Sequence, residues 1–386
     1  MSDPEQPRTQ RPWQPTRRRL LQVGGLASTL TVGGVWASLG NSQDPTFGSA
    51  VSLANSPQAP AAPVAAGLIH RTIPGTDISL PAMGLGTFQT FDAIAEDERR
   101  IRDEVLRRFW AGGGRVVDTS PLYGLAEENL ARAAVGDGFH DELFLTNKVW
   151  STGAYLGDES HAEQSLQTSM QRMSRSEPID VMQCHALVNV DMIMPVLHAW
   201  RAEGRIRRLG VTHHDPAYFE PMATWITDGD LDFVQTRYSI AERRAEEQIL
   251  PSAADHGVAV TVNMPLEKGR LHQFVGDRPL PDFVADIGIQ TWSQYFLKWV
   301  LAHPAVTAVL PATSNPEHLA DNMAAGHGPL PDPQMRARML DHLRAMPGFD
   351  QLTSQPWYPG KQYAGIINRD MSAIRARSSW RSTRWV

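Results

Sequence analysis

Eight short apolar runs, each followed by a segment of a different character, recur between residues 83 and 313, and no other feature constrains the fold as tightly. The runs are Met83–Phe88, Arg115–Ser120, Leu143–Val149, Asp180–Ala186, Arg208–His213, Phe233–Tyr238, Ala259–Pro265 and Ala305–Thr313. Between them, segments such as Ala95–Ala111, Glu128–Val135, Ser160–Met173, Asp191–Ala202 and Pro216–Ile226 fit amphipathic helices. Eight strand–helix repeats over roughly 250 residues match a TIM barrel in count and length. The competing architecture, a doubly wound open sheet, wants a Gly-rich phosphate turn after its first strand, and Gly84-Leu85-Gly86-Thr87 lacks the third glycine. The expectation is therefore an α/β protein with a single-domain (β/α)8 barrel over residues 67–347, opening on a short hairpin that turns at Pro74-Gly75.

Composition narrows the function. With 42% hydrophobic and 20% charged residues among 386, the chain reads as a soluble globular protein with a sizeable core. A net charge of -6 gives no electrostatic reason to expect nucleic acid as a partner. The single cysteine, Cys184, excludes an intramolecular disulfide, and 13 histidines without H-E-x-x-H spacing leave no metal site to expect.

The N-terminus has the character of a targeting segment. Arg17-Arg18-Arg19 precede an uncharged stretch from Leu20 to Gln43, and Ser52-Leu53-Ala54 offers a small-residue cleavage site. The arrangement resembles a twin-arginine signal, which implies the twin-arginine export machinery as a partner and a periplasmic location. An uncleaved membrane anchor is the alternative, because about 20 uncharged residues can span a bilayer. Residues 1–54 are read as signal peptide and the start of a linker, and residues 55–66 as Ser/Pro/Ala-rich, disordered linker.

Barrel enzymes gather their chemistry at the C-terminal ends of strands. Here the second run ends on Asp118 with Tyr123 just beyond, the third on Lys148, and the fourth on His185. Together these groups suit carbonyl reduction. Hydride arriving at a carbonyl carbon leaves an alkoxide that needs a proton, and a phenol is a poor donor unless its phenolate is stabilised. An ammonium beside the phenol does that, a buried aspartate holds the ammonium, and an imidazole orients the carbonyl oxygen. Tyr123 is thus the candidate acid, Lys148 and Asp118 tune it, and His185 positions the substrate. Each residue alone has a plainer role, as a cap, a solvated cation or an interior side chain; their order on consecutive strands carries the reading.

These segments resemble the aldo/keto reductase family. The matching text is Gly84-Leu85-Gly86-Thr87, Asp118 to Gly124, Thr146-Asn147-Lys148, Gly204 to Arg207 leading into Leu209 to Thr212, Pro265-Leu266, and Leu310 to Asn322. The resemblance implies NADP(H) as cofactor, with NAD(H) open, and a small-molecule carbonyl substrate. It places Thr212, His213, Gln235, Pro265, Leu266, Thr313, Ser314, His318 and Asn322 at the cofactor. Where the family usually has Ser-Asn this chain has Thr212-His213, and Asn263 stands where some members carry an aromatic ring. Ala312 and His318 occupy positions where some members carry Lys and Arg, which weakens the case for a 2′-phosphate. Phe88, Trp150 and the segment 267–286 fall where substrate loops lie, the segment being a candidate lid.

Residues 348–386 read as a basic, tryptophan-containing extension, suited to a membrane surface, an acidic partner or the barrel wall. Two rival functions stay open: a non-catalytic cofactor-binding barrel acting as sensor or interaction module, and an aldolase-type barrel with Lys148 as Schiff-base nucleophile.

Overall fold

A computed structural model describes residues 67–150 and 160–368. The readings of residues 1–66, including the export signal and linker, and of residues 369–386 lie outside it. A two-stranded antiparallel hairpin, β1 (His70–Thr72) and β2 (Ser79–Pro81), comes first. Eight parallel strands follow in sequence order: β3 (Leu85–Gly86), β4 (Val116–Asp118), β5 (Phe144–Val149), β6 (Val181–His185), β7 (Leu209–His213), β8 (Phe233–Arg237), β9 (Ala259–Asn263) and β10 (Val306–Val309). All eight expected runs therefore contain a strand.

The sheet closes on itself where β10 meets the start of β3. Met83 pairs with Val309 and Gly86 with Ala312, both in parallel sense. Gly84 N–H donates to the Val309 carbonyl at 2.8 Å, and Gly86 N–H to that of Pro311 at 3.0 Å. The two glycines of the first run are there for this seam. A Cβ on Gly84 would stand 2.9 Å from the Val116 carbonyl oxygen, and one on Gly86 3.1 Å from that of Leu310. The architecture is a (β/α)8 barrel.

Helices cover the outside: α1 (Glu96–Ala111), α2 (Ala126–Gly136), α3 (Ser160–Arg172), α4 (Val190–Ala202), α5 (Phe219–Asp228), α6 (Ile249–Asp255), α7 (Arg270–Val275), α8 (Trp292–Leu301), α9 (Pro316–Ala324) and α10 (Pro333–Arg344). Their sequences explain their limits. In α1, Glu96, Asp97 and Glu98 occupy the positive end of the helix dipole and Arg108 the negative end, while Val105, Leu106 and Phe109 face the sheet. Asn315 caps α9 by accepting from Glu317 N–H at 2.8 Å, with Pro316 in the first turn. Strands β7 and β8 are buried at every residue, as parallel strands under helices are. Among the described residues, no helix is long and apolar enough to cross a membrane.

Two regions differ from the sequence reading. The candidate lid over 267–286 contains α7 and a 3-10 turn over Asp282–Ile287. The extension begins with structure that belongs to the barrel: a 3-10 turn, Phe349–Ser354, buries Phe349 and Leu352, and residues 355–368 then cross the barrel mouth. Periodicity signalled neither, because both segments are shaped by what they pack on.

The seam yields a direct test. Replacement of Gly84 by Ala is expected to cost about 1–3 kcal/mol of stability by overpacking a position walled by backbone. An unchanged urea midpoint would show that closure does not need the glycine.

Candidate active site

Asp118 ends β4, and a single oxygen, Oδ1, accepts three hydrogen bonds from two other strands. Lys148 Nζ on β5 donates at 2.7 Å, Thr146 Oγ1 on β5 at 2.6 Å, and Gln235 Nε2 on β8 at 2.7 Å. Lys148 also donates to the Thr119 carbonyl at 2.8 Å and is 1% exposed. Asn147, between Thr146 and Lys148, donates to the buried carboxylate of Glu127 on α2 at 2.9 Å and accepts from Lys148 N–H at 2.8 Å. The Thr146-Asn147-Lys148 segment is thereby tied to the barrel on one side and the helix layer on the other.

Tyr123 lies in the loop after Asp118. The Lys148 ammonium stands 5.1 Å from the centre of its ring, and its hydroxyl has no hydrogen-bond partner among the described residues. Burial, reinforced by the carboxylate of Asp118 and the phenol of Tyr358, raises its pKa well above the ordinary phenol value. Here the structure departs from the expectation that Lys148 draws the phenol down. The ammonium is already held by Asp118 and the Thr119 carbonyl, so burial wins and the phenol stays protonated.

His185, at the end of β6, meets the Tyr123 ring edge-on at 5.9 Å. Its pKa is pushed down to about 3, first by burial and then by the charge of Lys148 and the neighbouring His214 and His213. The imidazole is therefore neutral. Ser120 Oγ lies 3.2 Å from Nδ1 and accepts from Leu122 N–H at 3.2 Å, with its own proton free to donate to the ring. With that proton directed at Nδ1, the imidazole carries its hydrogen on Nε2 and is a hydrogen-bond donor there. Ser120 was not singled out in the sequence; the only signal was its place between Thr119 and Pro121.

Asp118, Tyr123 and His185 line one cavity of about 730 Å³ at the C-terminal end of the barrel, with Lys148 directly beneath. At the other end, a depression of about 320 Å³ is lined by Arg175, Asp180 and Arg207, which pair with one another and read as structural. Of the other expected site residues, Phe88, Thr212, His213, Gln235, Pro265, Leu266, Thr313, His318 and Asn322 line the main cavity; Ser314 and Trp150 do not. Cavity residues that were not anticipated include His214, Trp357, Tyr358, Lys361 and Tyr363, while Lys268 comes from the 267–286 segment expected as a substrate loop.

The sequence profile of the aldo/keto reductase family matches residues 82–340, more than half of the chain. The chain belongs to this family. NADH-specific methylglyoxal reductase of Escherichia coli (strain K12) is 26% identical over 302 residues, which are 65% of this chain and 91% of the relative's length. Pyridoxine 4-dehydrogenase of the same organism is 25% identical over 248 residues, or 59% and 82% of the two chains. The crystal structure of an aldo/keto reductase from Klebsiella pneumoniae in complex with NADP and acetate is 26% identical, covers 71% of this chain and 94% of that one, and has a TM-score of 0.59. As an aldo/keto reductase, the chain is an NAD(P)H-dependent oxidoreductase acting on carbonyl compounds.

The cavity fits a nicotinamide dinucleotide on its own chemistry. Asn263 Oδ1 is buried at its wall without a partner among the described residues, an acceptor suited to the N–H of a carboxamide. Thr212 and Gln235 are bonded to each other at 3.1 Å, which turns the Thr212 lone pairs towards a ligand. In His213, Nδ1 accepts from Asp215 N–H at 2.9 Å and the ring stacks on Tyr218 at 4.0 Å, so this substitute for the family's asparagine is fixed in place. Among the described residues, no group of His, Cys, Asp or Glu could hold a metal ion.

The loop after β9 is strained around this site. Met264, Glu267 and Lys268 all have left-handed backbone, with φ of 53°, 51° and 52°, at about 1–3 kcal/mol each for non-glycine residues. The buried Glu267 carboxylate holds the loop by bonding Arg237, Arg270 and Ser239. Arg270 in turn donates to the carbonyls of Thr353 and Gln355, Tyr358 N–H donates to the Lys268 carbonyl at 3.0 Å, and Ile367 N–H to Asp92 at 2.9 Å. The C-terminal strap is pinned along its length.

The Ser120–His185 contact can be isolated. Replacing Ser120 by Ala is expected to lower kcat for carbonyl reduction roughly ten- to a hundredfold, with melting temperature and cofactor affinity retained. Wild-type kcat in the variant would show that the imidazole is oriented by other means.

Proposed function

We propose that the chain reduces an aldehyde or ketone to the alcohol, or runs the reverse oxidation, with Tyr123 as proton donor. The observation that carries this reading is the convergence on one cavity of a phenol, a neutral imidazole, and a lysine–aspartate pair beneath them. His185 Nε2–H and the Tyr123 hydroxyl both donate to the carbonyl oxygen and polarise it. As charge builds on that oxygen, Tyr123 gives up its proton, and the fixed ammonium of Lys148 favours the phenolate left behind. Asp118 holds that ammonium in place and favours its charge against the burial that lowers its pKa. A nicotinamide dinucleotide held here would supply or take the hydride. Thr212, His213 and Asn263 would hold its carboxamide, and Pro265, Leu266, Thr313, His318 and Asn322 are the other cavity residues proposed to hold it.

NADP(H) is the proposed cofactor, and the solved relative with NADP supports it; the NADH-specific relative marks NAD(H) as the alternative. Replacing Tyr123 by Phe is expected to abolish turnover on a panel of carbonyl compounds while NADPH binding persists. In the same titrations NADPH should bind more tightly than NADH. Retained turnover would remove Tyr123 from the mechanism, and equal or tighter NADH binding would reverse the cofactor assignment.

We also propose that the arginine-led N-terminus is an export signal cleaved before residue 67. It would deliver the enzyme to the periplasm through the twin-arginine route, with the dinucleotide loaded beforehand. The support is sequence alone: adjacent arginines before an uncharged, glycine-containing stretch. Intact-mass measurement of the exported protein is expected to show loss of this segment. Retention of Met1 would refute cleavage.

A further inference from the structure

Lys268 projects from the strained loop into the cavity, and its ammonium meets only aromatic faces. The Trp357 ring centre is 3.3 Å away, that of Phe88 5.0 Å and that of Tyr358 5.7 Å. Among the described residues it has no carboxylate or carbonyl partner within hydrogen-bond reach. The nearby carboxylates are spent: Glu267 is shared between Arg237 and Arg270, and Asp118, the acid lining the cavity, already accepts three hydrogen bonds. A cation framed by rings and uncompensated in a low-dielectric pocket attracts an anion strongly.

The position of this charge indicates which anion. The Phe88 ring neighbours both groups concerned, its centre 5.0 Å from the centre of the Tyr123 ring and 5.0 Å from the Lys268 ammonium, so the two lie at most about 10 Å apart. A carbonyl held at Tyr123 and His185 is thus within a distance of Lys268 that a short carbon chain spans. His214 and Trp357, in edge-on contact at 5.7 Å, wall the same region.

We propose that Lys268 binds the carboxylate of a substrate whose aldehyde or ketone group lies at Tyr123 and His185, so that the enzyme prefers oxo acids to neutral carbonyl compounds. This rests on the reading of Tyr123 and His185 given above. Trp357 and Tyr358, carried by the C-terminal strap, hold the ammonium on line.

Burial pushes the Lys268 pKa down to about 7, with Arg237 and Arg270 repelling a proton and Glu267 attracting one. Of the other groups around it, His214 is neutral down to about 4 and Tyr358 is raised above the ordinary phenol value, so neither changes charge near neutrality. Within this ring of side chains, loss of charge with rising pH through about 7 is expected of Lys268.

The test compares kcat/KM for 4-oxobutanoate and 5-oxopentanoate with that for their methyl esters, which keep the shape and lose the charge. The wild-type enzyme is expected to favour the acids at least tenfold, and kcat/KM for the acids alone should fall as pH rises through 7. Replacing Lys268 by Met should reduce the acid-to-ester ratio about tenfold, and replacing it by Arg should restore most of it. Equal rates for acid and ester in the wild type, or an unchanged ratio in Lys268→Met, would overturn the proposal. So would an NADPH dissociation constant, followed by protein fluorescence, that rises in Lys268→Met without a change in the ratio, since the ammonium would then serve the cofactor's phosphates. Turnover of neither acid nor ester, nor of any compound on the carbonyl panel, would remove the reaction itself.

Discussion

The active end of this barrel depends on one oxygen atom. Asp118 Oδ1 gathers Lys148 and Thr146 from the adjacent β5 and Gln235 from the distant β8, so strands far apart in the sheet are referred to the same point. Both members of the Lys148–Asp118 pair are buried, and removing one partner of such a pair typically costs about 3–5 kcal/mol because the other charge is stranded. The barrel therefore holds the ammonium where the phenolate of Tyr123 would need it. The neutral state of His185 follows from the same neighbourhood, since burial and the nearby lysine both disfavour a second positive charge.

Around the mouth the physics is different. The loop after β9 is kept in left-handed backbone by an ion cluster centred on Glu267, and Arg270 of that cluster reaches on to the carbonyls of Thr353 and Gln355. The strap over 355–368 is thus an outer layer of the site. It brings Trp357, Tyr358, Lys361 and Tyr363 to the cavity and is fastened beside the Tyr123 loop through Asp92. Asp92 also accepts from Leu125 N–H, and a Cβ on Gly124 or Gly365 would collide with it, so both glycines are required by close approach to one carboxylate. The loop that carries the proton donor and the strap that roofs the cavity share an anchor.

Much of this was legible in the sequence, for identifiable reasons. The eight strands appeared as apolar runs because a strand buried on both faces must be apolar nearly throughout, and Asp118, Lys148 and His185 were visible because polar residues at the ends of such runs are out of character. Ser120 was invisible as a partner of His185: the two are 65 positions apart, and a serine in a turn has no signature of its own. His214 and Trp357 were missed, and Lys268 was covered only as part of a loop segment, because no periodicity relates a strand end, a strained loop and a C-terminal strap. Trp150 and Ser314 were placed in the site by position along the chain, and neither is among the residues lining the cavity.

The sequence by itself determined the number and order of strands and which ionisable groups stand at strand ends, because each is a local demand of a repeating pattern. Tertiary structure decided the protonation states, the partner of each polar group and the composition of the cavity's outer wall. Those depend on burial and on distances between residues far apart in the chain. The phenol of Tyr123 shows the division: its place was readable from neighbouring residues, but the upward push on its pKa comes from what the fold packs around it.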